Sequence, residues 1–266
     1  LQLVLVGTTL EITVLLFEIP TGIVADLYSR RLSVLIGYFL VGLGLMMQGI
    51  WAFFVPILLA QLVWGTGHTF TSGALQAWIT DEIGEENAGA AFLHGAQREQ
   101  LGGALGIIIG TALGAVNLRL PLLIAGGMFL FLAALLAVIM PENNFKPAPR
   151  ETRHTFQNML ASMRQGLGML KVRPVLVSIL SIGFFYGIYS EGFDRLWIAL
   201  MLERFTFPLF SSVIWFGFIQ IVELGLSALA LGLVKKRLDH TGNRPLIKTL
   251  LIASAGLSLT LGLFAF

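Results

Sequence analysis

The 266 residues are 56% hydrophobic and 12% charged, with a mean hydropathy of +0.84, whereas an ordinary soluble domain is roughly a quarter charged. That composition excludes a water-soluble globule, and the absence of Cys removes disulfides, thiolate metal sites and thiol catalysis. The net charge of +2 needs no nucleic-acid partner, because Lys and Arg sit in the turns between apolar runs, as in a membrane protein.

Apolar runs of about 20 residues, enough to cross a hydrocarbon core of about 30 Å, recur along the whole chain. They do not alternate in polarity as barrel strands would. The expected fold is therefore all-α: a polytopic bundle of eight transmembrane helices, each placed to within about 2 to 4 residues.

The first span, 3–26, holds Glu11 and Glu18 seven residues apart, hence on one helical face. It closes on FEIPTGIVADLYSRRLS, in which two carboxylates and a double arginine interrupt the grease. Spans follow at 33–52 and 54–79, the latter with His68 in its middle. The span at 89–116 contains the adjacent pair Arg98 and Glu99. It also contains Gly102, Gly106, Gly110 and Gly114 at steps of four, a stripe on which a second helix can pack closely. After the span at 120–140 comes the one long loop, 141–173, Pro-rich and then amphipathic.

That loop divides the chain into a first half bundle (1–140), an interdomain loop (141–173) and a partial second half (174–266). The second half has spans at 174–202, 209–234 and 246–266. In it Glu191, Asp194 and Arg195 stand at i, i+3 and i+4, so one carboxylate can pair with the arginine. Glu223 has no obvious partner in its own helix, and ionisable groups inside spans are costly and by default functional suspects. The interhelical hydrogen bond or salt bridge is the structural alternative for each acid. Aromatics such as Trp64, Trp78, Trp197 and Trp215 suit interface belts or packing as well as a cavity wall.

Orientation follows from the basic residues. Arg30 and Arg31, the cluster from Lys146 to Arg173, and Lys235, Lys236, Arg237 and Arg244 mark one side, taken as cytoplasmic; the opposite turns carry Arg119 and Arg204. Asp81, Glu82, Glu85 and Glu86 fall on the basic side and are expected to pair with the basic loops. Leu1 then lies at the outer face, which implies a helix upstream. A weak repeat relates the halves: Glu18 precedes Arg30 and Arg31 by 12 and 13 residues, as Glu223 precedes Lys235 and Lys236. Parallel repeats of this kind are a transporter architecture.

Three stretches carry a resemblance. GIVADLYSRR resembles the signature of the major facilitator superfamily between its second and third helices: Gly22, Asp26, Arg30 and Arg31 match, while Leu27 and Ser29 replace a basic residue and a Gly. LLAQLVWGTGHTF resembles the fourth-helix motif, with Gly65 and Gly67 in place and Gln61 where an Arg is usual. LGGALGIIIGTALGA resembles the fifth-helix motif of the family's antiporters, with Thr111 in place of a Pro and Ala115 in place of a Gly. The resemblance implies helices two to nine of twelve, in two pseudo-symmetric halves.

It implies in turn a secondary transporter working by alternating access in the plasma (inner) membrane. Its partners would be a small-molecule substrate, protons and the lipid bilayer, with no cofactor beyond a proton gradient. Gly22, Asp26, Arg30 and Arg31 would form a gating latch, with Gly22 admitting a close helix, Asp26 accepting from a neighbouring helix N-terminus and the arginines among headgroups. Glu11, Glu18, Glu99, Glu191, Asp194, Arg195 and Glu223 are the candidates for coupling. Efflux of amphipathic compounds is the expectation; uptake or facilitated diffusion of a polar metabolite is the rival. An intramembrane enzyme would need a metal or nucleophile constellation, and the four His are scattered with no HExxH pattern. A non-transporting receptor is the remaining alternative.

Overall fold

The computed structural model describes residues 1–147 and 174–238, with side chains described only in part over the last two helices. The expected span at 246–266 and most of the long loop lie outside the described residues. Among the described residues every element is a helix: α1 Gln2–Leu27, α2 Arg30–Ile50, α3 Phe54–Thr71, α4 Ala74–Ile83, α5 Glu85–Val116, α6 Leu120–Ile139, α7 Pro174–Arg204 and α8 Ser212–Leu238. Of these, α1, α2, α5 and α6 are long and apolar enough to cross a membrane unaided.

Two boundaries differ from the sequence expectation. The third span is not one helix. It breaks at Ser72 and Gly73, where Gly73 adopts φ +72°, a left-handed conformation open to a residue without Cβ, and the Ala74 N–H bonds back to the Ser72 carbonyl at 2.8 Å. The fourth span starts earlier than expected, at Glu85. Gly84 makes the turn at φ +84°, and Glu85 and Glu86 occupy the first turn of α5, where the helix dipole favours negative charge.

Helix α2 is the centre of the first half, packed on α3 on one side and α6 on the other, while α1 lies against α3. Glycines make both seams close. Gly37 and Gly44, seven apart, face α3: a Cβ on Gly37 would sit 2.8 Å from the Gly67 carbonyl, and one on Gly44 would sit 2.9 Å from the Trp64 nitrogen. Gly42 and Gly49, also seven apart, face α6, where a Cβ on Gly42 would meet the Gly126 carbonyl at 2.9 Å. The expectation placed the close-packing stripe on the fifth-helix motif; the structure builds further close glycine seams between α2 and α3 and between α2 and α6. Gly65 completes the set, lying against Leu10 and Thr13 of α1.

The second half joins through α8, which packs on α5, and α7, which touches α1. At the end of α7 and the start of α8 the rings of Phe207 and Trp197 stand edge-on to Phe216, with centroids 5.4 and 5.5 Å away.

Candidate functional site

The basic turn between α1 and α2 is the most densely hydrogen-bonded part of the described chain. Ser29 caps α2: its Oγ accepts from the Leu32 N–H at 2.8 Å and donates to Glu142 Oε2 at 2.7 Å. The other oxygen of Glu142 accepts from the Arg31 N–H at 2.9 Å. One carboxylate just beyond α6 therefore holds the first turn of α2. Ser29→Ala removes the cap and orphans half of Glu142, so it should lower stability by about 1–2 kcal/mol; an unchanged thermal midpoint would contradict that role.

Arg30 is the hub. Its guanidinium donates to the Ala77 carbonyl at 2.7 Å and to Asp81 Oδ2 at 2.5 Å, and its Cζ stands 5.9 Å from the Phe145 ring centroid. Arg31 donates to the Ala137 carbonyl at the end of α6. Both arginines were expected among lipid headgroups; their guanidinium groups are instead bound to protein oxygens, which leave α2, α4 and α6 fixed to one another. Of the four acids around the turn between α4 and α5, only Asp81 is paired with a basic side chain among the described residues. Asp81 pairs with Arg30, and Glu82 accepts from the Asn143 and Asn144 N–H groups at 2.8 and 3.0 Å. Trp78 Nε1 donates to the Pro141 carbonyl at 2.7 Å. Beneath these bonds Ala25, Val34, Ala74 and Met140 form a buried cluster.

The other two signature residues are placed differently. Asp26 keeps 65% of its side chain exposed and lies 4.0 Å from Arg30, its neighbour in the same turn. Gly22 has no atom within 4 Å of its Cβ position among the described residues. Neither the helix N-terminus expected for Asp26 nor the close helix expected for Gly22 is present among the described residues.

A cleft of about 500 Å³ separates α5 from α8, lined by Gly103, Gly106 and Gly110 on one side and by Phe216 and Gln220 on the other, with Thr111 beside them. The glycine stripe is thus only partly a packing surface. Gly114 is close to Val213, and Gly217 fits against Thr111, whose Oγ1 would stand 2.1 Å from a Cβ there. Gly102, Gly106 and Gly110 instead have no atom within 4 Å of their Cβ positions among the described residues. The helices cross at Thr111 and Gly217 and leave a flat backbone floor below.

The acids whose side chains are described do not converge on one centre. Glu18 accepts from Ser72 Oγ at 2.8 Å, across the break between α3 and α4, and Glu11 lies on the exposed face of α1. Glu99 is exposed on α5, one turn before Gly103. Glu223 is exposed on α8, three residues beyond Gln220 and so on the same side of the helix. The side chains of Glu191, Asp194 and Arg195 lie outside the described residues. Phe216, Gln220 and Glu142 were not singled out in the sequence. Only Glu142 carried a signal there, as a carboxylate directly after a span and its closing Pro141.

These observations describe a multi-pass helical membrane protein whose basic turn is tied into its own bundle. The profile of the Major Facilitator Superfamily matches residues 1–266, and the chain belongs to that family, one of transporters rather than enzymes. It is 28% identical over 207 residues to a protein of Bacillus subtilis (strain 168) named uncharacterized MFS-type transporter YxaM, an alignment covering 74% of this chain and 49% of the relative. The chain thus spans about half the length of that relative. No solved structure matches it.

Proposed function

We propose that the chain forms part of a secondary transporter that moves small amphipathic compounds out of the cell by alternating access, in exchange for protons across the plasma membrane. The observation that carries this reading is the cleft between α5 and α8. It lies between helices from opposite sides of the long loop, is largely apolar, and offers hydrogen bonds through Thr111 and Gln220. A site walled by two bodies opens and closes when they rock, and the wall of one body that lacks side chains leaves room for cargo.

In this reading the network around Arg30 is the latch: it keeps the cytoplasmic ends of α2, α4 and α6 moving as one piece. Glu223, one turn from Gln220 towards the basic end, is the acid placed to exchange a proton as cargo leaves. Asp26, exposed beside Arg30, is free to bond with a helix that approaches in the other state.

The test is flux in proteoliposomes containing the intact protein, with an imposed pH gradient. Wild type should move substrate against its gradient when protons run the other way; flux that only equilibrates would instead assign facilitated diffusion. Glu223→Gln should remove the pH dependence and Asp26→Asn should slow turnover. Unchanged flux and pH dependence in both would remove these two roles.

A further inference from the structure

A second cavity, of about 450 Å³, lies at the opposite end of the bundle from Arg30, where the α5–α6 turn meets the end of α2 and the start of α3. Gln48, Asn117 and Arg119 supply its polar lining; Ala52, Ile57, Leu118 and Leu122 supply the apolar remainder.

The hydrogen bonds around this cavity sort its donors from its acceptors. The Oδ1 of Asn117 accepts from the Arg119 N–H at 2.9 Å, and the Oε1 of Gln48 accepts from Gln61 Nε2 at 3.3 Å. Each amide oxygen is thus engaged within the protein. Arg119 and Asn117 are exposed at the turn, and the Arg119 guanidinium has no acceptor among the described residues. Two amides and an arginine therefore line one cavity together, with no carboxylate in the lining. Such a set recognises an anion. Behind it Gln61, 6% exposed, holds Gln48 in place, and its own Oε1 has no hydrogen-bond partner among the described residues. A buried amide left half satisfied is a departure from ordinary interiors, where such atoms are paired.

We propose that this pocket binds a small carboxylate or phosphate bearing a short apolar tail. The anion would sit against Arg119, Asn117 and Gln48, with its tail along Leu118, Leu122 and Ile57. The site is separate from the cleft between α5 and α8 and does not depend on the transport reading. The same chemistry is offered by a free amphipathic acid and by the headgroup of an anionic lipid.

The intact protein, purified into nanodiscs of phosphatidylcholine alone, is titrated with octanoate; a second preparation contains phosphatidylglycerol and no octanoate. Thermal unfolding and equilibrium binding are read in both. An octanoate-dependent rise in the midpoint assigns a free acid, and a rise confined to the phosphatidylglycerol discs assigns a lipid. In either case Arg119→Gln should weaken binding at least about tenfold, the loss expected for hydrogen bonds to a charged group. Arg204→Gln, which alters the other basic residue expected on that side, should leave it unchanged. Gln61→Leu should weaken it less, by releasing Gln48. The proposal is overturned if neither anion shifts the midpoint, or if Arg119→Gln and Arg204→Gln behave alike. Loss of flux in wild-type protein would count against the transporter reading and leave this result standing.

Discussion

Arg30→Met is expected to destabilise the protein by about 2–3 kcal/mol, more than any other single change in the basic turn. Its side chain is 20% exposed and its partner Asp81 is 27% exposed. Removing one member of a fully buried pair costs about 3–5 kcal/mol, and partial exposure of this one reduces the figure. The substitution also strands the Ala77 carbonyl and removes the cation from the Phe145 ring. Asp81→Asn should lose a large share of the same energy, and a double-mutant cycle should give a coupling of about 1–3 kcal/mol. Asp26→Asn should cost under about 0.5 kcal/mol, because its contact is long and exposed. Unfolding midpoints in detergent at a fixed scan rate separate these cases. Equal losses for Asp26→Asn and Asp81→Asn would show that the network has been assigned to the wrong carboxylate.

Gly67→Leu should be comparably severe, at about 3 kcal/mol or more, and should leave little folded protein. A Cβ at Gly67 would stand 2.7 Å from the Val41 nitrogen and 2.8 Å from the Gly37 carbonyl, so the obstruction is backbone that no rotamer change can clear. The control is Gly106→Ala, where open space receives the methyl group and helix propensity favours the change by up to about 1 kcal/mol. Expression and unfolding midpoint report the contrast. If Gly67→Leu folded as well as Gly106→Ala, α2 and α3 would have to be farther apart than the structure places them.

The helical fold was legible because each long apolar run can satisfy its backbone only by coiling, and the basic turns stand out against that background. The break at Ser72 and Gly73 was masked, although Thr71-Ser72-Gly73 is itself a turn signal, because the apolar run resumes at once with Ala74 and Leu75. For the site, the signature drew attention to Asp26, whereas the carboxylates that hold the arginines are Asp81 and Glu142, distant in sequence and brought near only by the packing of α4 and α6 on α2. Pairing of the acidic turn with a basic one was readable from charge alone, but not which acid meets which arginine. Glycine spacing proved an ambiguous signal. Steps of four on α5 and steps of seven on α2 both mark one face, and nothing in the spacing says whether that face meets a helix or a void.

The short segment after α6 also fixes the path of the chain as it departs from the first half bundle. Pro141, Glu142, Asn143 and Asn144 are each bonded to α2, α4 or the turn before α2, and Phe145 lies against Arg30. The first half therefore holds the chain as far as Phe145, beyond the end of the helix. Deleting Glu142 would release the first turn of α2 together with the chain that follows α6.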